Sequence, residues 1–98
     1  MRITAKRTGG FAGLTESITD LDTSQLDSGT AEKVAAKVQK IGFFDYPSVV
    51  AADAVGADMY QYEITVTDGP RRHSVTFSEG APEAGPLLDL VQTLENIK

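Results

Sequence analysis

The sequence contains no cysteine and a single histidine, His73. The first absence excludes disulfides, thiolate zinc sites, iron–sulfur clusters and a cysteine nucleophile. The second makes the chain a poor candidate for carrying zinc of its own. Basic residues are also scarce: nine stand against fourteen acidic ones, for a formal charge of −5 and a pI near 4.6. An acidic chain is repelled by phosphate backbones and anionic headgroups, so nucleic acid and membrane surfaces drop out as partners. No apolar run approaches the roughly 18 residues of a membrane span. Met1 to Thr8 carries charge but no apolar stretch of signal-peptide length. The expectation is a cytoplasmic protein, and the lack of cysteine suits that reducing compartment.

What is present belongs to a folded domain. With 98 residues, 41% of them hydrophobic and 23% charged, the chain has room for one core, so residues 1–98 are read as a single domain. Arg2 to Thr8 alternates, with Ile3 and Ala5 on one side and Arg2, Thr4 and Lys6 on the other, which predicts a half-exposed strand. A second strand is predicted over Leu14 to Leu21, placing Leu14 and Ile18 on one face and Thr15, Ser17 and Thr19 on the opposite face. Glu16 then falls on the inward face, so either this strand lies at an edge of the sheet or its phase is imperfect there, and the pattern alone leaves that open.

Ala31, Val34, Ala35, Val38 and Ile41 recur at helical spacing between Ser28 and Ile41, with Asp27, Ser28 and Thr30 available as N-caps. Phe43, Phe44 and Tyr46 crowd the segment before Pro47 and read as an aromatic plug. Ser48 to Ala57 shows no period and is read as a loop or a short helical turn. Tyr60, Tyr62, Ile64 and Val66 alternate with polar residues, Asp68-Gly69-Pro70 turns the chain, and His73, Val75 and Phe77 alternate in turn, which makes an antiparallel hairpin. Gly80 to Gly85 reads as a linker, and Pro86 as the first residue of a helix with a Leu87, Leu90, Val91, Leu94, Ile97 stripe. The predicted fold is therefore α+β: a four-stranded antiparallel sheet with two helices packed on one face, in the order ββαββα. One core is expected from Ile18, Val34, Val38, Ile41, Phe43, Ile64, Val66, Val75, Phe77, Leu87, Val91 and Leu94.

Residues that could carry chemistry do not assemble into a motif. His73 has no serine or carboxylate at a spacing that would make a triad. Asp20-Leu21-Asp22-Thr23-Ser24 opens like a calcium loop, but Gln25 stands where the turn needs glycine and Ala31 where a bidentate glutamate belongs. Asp45, Asp53, Asp58 and Asp68 are scattered over loops rather than paired for acid–base work. Gly9-Gly10-Phe11-Ala12-Gly13 lacks the Lys-Ser/Thr pair of a phosphate cradle and joins two strands. It is either a plain hairpin connection, with Phe11 folded back over the sheet end, or a loop presented to a partner. No metal, no cofactor and no enzyme follow from these residues.

Arg7-Thr8-Gly9-Gly10-Phe11-Ala12-Gly13-Leu14, Gly42-Phe43-Phe44-Asp45-Tyr46-Pro47, Gly56-Ala57-Asp58, Tyr62 to Gly69 with Arg71-Arg72-His73, and Pro86-Leu87-Leu88-Asp89-Leu90 occur in this order over nearly the whole chain. Together they resemble the emfourin family, small protein inhibitors of thermolysin-like (M4) metalloproteases associated with protealysin-type enzymes. The resemblance implies a monomeric, non-enzymatic protein that binds an M4 metalloprotease one to one and obstructs its active-site cleft, where any zinc belongs to the protease. Thermolysin-like enzymes prefer a bulky apolar residue just after the scissile bond, so Gly9, Gly10, Phe11, Ala12 and Gly13 become the candidate protease-binding residues, with Phe11 as the anchor. The Asp68-Gly69-Pro70 turn and the Asp45 to Asp58 loop are alternative contacts. Two other readings compete: a binding module using the open sheet face for another partner, and a small enzyme using His73.

Overall fold

The computed structural model of the chain describes residues 1–9, 14–50 and 60–97. Strands β1 (Arg2–Gly9) and β2 (Leu14–Asp22) lead to helix α1 (Ser28–Lys40). A two-residue strand, β3 (Val49–Val50), is followed by β4 (Tyr60–Asp68), β5 (Arg71–Ser78) and helix α2 (Gly85–Glu95). The sheet runs β2-β1-β4-β5-β3. It has five strands and is mixed, not four and antiparallel as the sequence predicts, because β3 pairs parallel to β5 through Val49↔Thr76 and Val50↔Phe77. Two residues are too few to show a period, which is why this strand reads as a loop. Residues 51–57 of the predicted loop or helical turn lie outside the described residues.

The α+β class and the helices on one face hold. Ile3, Ala5, Ile64, Val66 and Val75 of the sheet are fully buried in one cluster with Val34 of α1 and Leu87 and Leu90 of α2. Each of these Ile, Val and Leu side chains contributes roughly 1.5–3 kcal/mol by leaving water. Ile18 and Ile41 are only partly buried against that core, whereas Val50, Tyr62, Ala81 and Ala84 join it from positions not expected there. Ala81 and Ala84 belong to a short 3-10 turn at Pro82–Ala84 that docks into the core, so Gly80 to Gly85 is more than a linker. Helix α2 begins one residue before Pro86, at Gly85.

Glu16 does lie on the helix-side face, and it is exposed there because β2 is an edge strand; the phase of β2 also slips, at a β-bulge. The β1–β2 register runs Ala5↔Thr19 and then Lys6↔Ser17, so Ile18 is the extra residue on β2. Beyond the bulge Glu16 pairs with Arg7, while before it Thr19 and Leu21 pair with the core residues Ala5 and Ile3. Thr19 therefore shares the helix-side face instead of the open one. The β4–β5 turn has Gly69 at φ +60° followed by Pro70, whose ring fixes a negative φ. That combination suits a type II′ turn, whose twist matches the strands it joins.

Asp27 is the N-cap chosen among the three candidates for α1: its carboxylate accepts from the Thr30 backbone N–H at 3.0 Å and the Thr30 hydroxyl at 2.7 Å. Lys37 of α1 forms an ion pair with Asp89 of α2 across the helix pair. No helix among the described residues is long and apolar enough to cross a membrane.

Candidate functional site

The sheet topology sorts the candidate contacts by end. Gly9, the last residue of β1, is opposite both Leu14 of β2 and Tyr60 of β4. The 10–13 connection therefore leaves the sheet beside the first residue of β4. Val50 pairs with Phe77 and Phe77 with Tyr62, so β3 also runs toward this end. Of the candidate residues only Gly9 is described, with φ +111°, a region that suits glycine because a Cβ would be strained there. Gly10, Phe11, Ala12 and Gly13 lie outside the described residues, as do Asp53 and Asp58.

The Asp68-Gly69-Pro70 turn sits at the other end of the sheet, eight residue steps along β4 from Tyr60, on the order of 26 Å away. One compact contact cannot use both ends. Gly9, Leu14, Val50 and Tyr60, the described residues that flank segments 10–13 and 51–59, share an end; the β4–β5 turn lies at the other.

At the shared end a polar cluster spans three strands. Arg7 of β1 is ion-paired to Glu16 of β2 at 2.5 Å, and its guanidinium carbon lies 4.6 Å from the centre of the Tyr60 ring of β4. The hydrogen bond with Glu16 holds the Arg7 pKa above its ordinary value. Among the described residues, Arg7 Nε is buried and has no hydrogen-bond partner. Behind this cluster Tyr62 stacks on Phe77, with ring centres 5.2 Å apart and planes 13° from parallel. The Tyr60 backbone N–H donates to the Glu79 carboxylate at 3.3 Å, which ties β4 to the end of β5.

The other chemically suggestive residues have structural partners. His73 Nε2 is 2.7 Å from the Tyr46 carbonyl oxygen, and its ring lies against Phe43 and Phe44. Phe43 is fully buried and Phe44 and Tyr46 partly so, as the aromatic-plug reading expects. Asp20 is engaged by Arg2 at 3.0 Å, and Asp22 accepts from the Ser24 backbone N–H at 2.9 Å and its hydroxyl at 2.8 Å. Those two Ser24 bonds hold the Asp22 carboxyl below its ordinary pKa. Both acids of the calcium-like segment thus serve the hairpin and the turn after it. Among the described residues no three of His, Asp and Glu converge as a metal site. A groove of about 290 Å³ at the far end is lined in part by Met1, Val38, Phe44, Asp68 and Arg71. Arg71 closes one side of it, stacked 4.3 Å over the Phe44 ring and bonded to Asp68 at 3.1 Å.

The sequence model of the Emfourin family matches residues 5–95 of this chain. The chain belongs to the Emfourin family. The match takes in β1 from Ala5, both helices and every segment that carries the resemblance. Emfourin is an inhibitor-type family, so membership points to a protease-inhibitor role and to a protein partner. Neither a curated protein nor a solved structure matches the chain. The sequence reading missed the Arg7–Glu16–Tyr60 cluster of this Emfourin domain, since no local spacing links three residues that meet only through strand register.

Proposed function

We propose that this Emfourin protein inhibits a thermolysin-like (M4) zinc metalloprotease, binding it one to one as a monomer in the cytoplasm and blocking the active-site cleft. The observation that carries the reading is the family match over residues 5–95. In this reading the inhibitor supplies neither metal nor nucleophile. It acts by occupying the cleft with the end of the sheet where β1 and β2 are joined, Gly9 to Gly13. A small scaffold whose strands are already paired up to Gly9 and from Leu14 loses little entropy on docking there.

The competing reading, a module that binds another protein through its open sheet face, draws on Thr4, Thr65, Ser74 and Thr76, whose strand positions alternate with buried ones. Thr65 and Ser74 already bond to each other at 2.7 Å, and such a polar row is also what a solvated sheet face carries.

The test is a titration of purified protein into a thermolysin-like protease with a peptide substrate. Loss of activity that is complete near one equivalent supports the proposal. Full activity at a large excess of the protein overturns it and favours the open-face reading.

A further inference from the structure

We infer that Arg7, Glu16 and Tyr60 form a clamp that positions the protease-facing end of the sheet without itself contacting the protease. This rests on the inhibitory reading above and adds positioning residues to it.

On β1 the core stops short of this end, although Tyr62 and Phe77 carry it further on β4 and β5. On the helix-side row of β1, Ile3 and Ala5 are wholly buried, while the next residue in the row, Arg7, is 31% exposed. Apolar packing from β1 therefore ends at Ala5, and beyond it side-chain links add to the main-chain pairing that continues to Gly9. Arg7 supplies two of them from the middle strand: the ion pair to Glu16 on one side and the stack on Tyr60 on the other. Glu16 is two residues from Leu14, where β2 begins, and Tyr60 is the first residue of β4. One guanidinium thus ties together the roots of both chain segments that leave this end.

Stability alone does not call for arginine here. The buried Arg7 Nε has no partner among the described residues, an unfavourable arrangement that an apolar side chain in the same row would avoid. A planar cation that can pair on one side and stack on the other is, however, what three-strand alignment needs.

A clamp and a contact residue leave different kinetic signatures. Loosening a clamp lowers the fraction of molecules in the binding-competent geometry, which raises the apparent dissociation constant through slower association. Loss of a direct contact mainly speeds dissociation.

The test compares wild type, Arg7→Leu and Arg7→Lys for association and dissociation rates against the protease, with melting temperature and amide exchange measured on the free protein. Arg7→Leu is expected to weaken inhibition by about 10-fold or more through slower association with dissociation unchanged. Amide exchange should quicken at Gly9, Leu14 and Tyr60 but not at Ile64 or Val75. Arg7→Lys, which keeps the charge but not the planar fork, should recover only part of the loss. An unchanged inhibition constant, or a loss carried by dissociation alone, overturns the clamp. A wild-type protein that does not inhibit refutes the inhibitory reading instead; exchange at Gly9, Leu14 and Tyr60 then judges the clamp, and unchanged exchange in Arg7→Leu rejects it.

Discussion

His73 Nε2 lies 2.7 Å from the carbonyl oxygen of Tyr46, which makes the only histidine of the chain a tie between β5 and the aromatic turn after α1. A carbonyl only accepts, so Nε2 is the ring nitrogen that carries the proton. The Tyr46 hydroxyl extends the tie by donating to the Glu83 carbonyl at 3.0 Å, which reaches the turn leading into α2. His73 pairs with Val66, and Val66 with Ile3, far along the sheet from Gly9. His73→Ala is therefore expected to lower stability by about 1–3 kcal/mol through the lost bond and packing, with inhibition of the protease intact once the protein is folded. Denaturant unfolding and the protease titration measure the two halves. A folded variant that no longer inhibits would place His73 in the functional surface.

Val38 tests the phase of α1. It is 2% exposed and shares the core with Phe43 and the sheet residues. Removing two methyl groups should cost about 1–3 kcal/mol, by lost transfer energy plus the cavity left behind. The denaturation midpoint of Val38→Ala reads this directly, and no change would mean that another face of α1 meets the sheet.

The two helices and the two hairpins were legible because each has its own local period: 3.6 in Ala31 to Ile41 and Leu87 to Ile97, and 2 in Tyr60 to Val66 and His73 to Phe77. What escaped was set by partners distant in sequence. Val49 and Val50 become a strand only because β5 offers a parallel edge. Ile18 is displaced by a bulge that shows only when β2 is laid beside β1, and Glu16 is tolerated on the helix-side face because β2 is an edge strand. The candidate site divides the same way. The glycine-rich segment was visible as a motif, whereas the Arg7–Glu16–Tyr60 cluster joins residues that strand register, not spacing, brings together.

The acid limb of stability should depend on the helix cap. The hydroxyl and backbone N–H of Thr30 bond the Asp27 carboxylate and hold its pKa below the ordinary value. A group with a lowered folded pKa stabilises the fold above its unfolded pKa, roughly 3.9 for Asp. That contribution is lost as pH falls through the lower folded value. Asp27→Asn keeps a capping oxygen but has nothing to titrate. It should melt below wild type near neutral pH, and the gap should close under strongly acidic conditions. Melting curves across that range measure it, and a gap that stays constant with pH would show that the Asp27 charge plays no part.

Phe11→Ala addresses the contact itself. Gly9 ends β1 at φ +111° beside Tyr60, so the Gly10-Phe11-Ala12-Gly13 connection starts from the end of the sheet that the clamp aligns. Thermolysin-like enzymes favour a bulky apolar side chain just after the scissile bond, and Phe11 is the only such residue between Gly9 and Gly13. Small neighbours let an extended backbone come close to a cleft. Anchoring aromatics at interfaces commonly contribute about 2–4 kcal/mol, so Phe11→Ala should weaken inhibition by about 30-fold or more while the melting temperature barely moves. Here the loss should appear in dissociation, the opposite of the signature expected for Arg7→Leu. If inhibition survives, the partner meets another segment, and the one joining Val50 to Tyr60 at the same end becomes the first to test. If stability falls together with inhibition, Phe11 packs on the domain, and the clamp aligns a different contact.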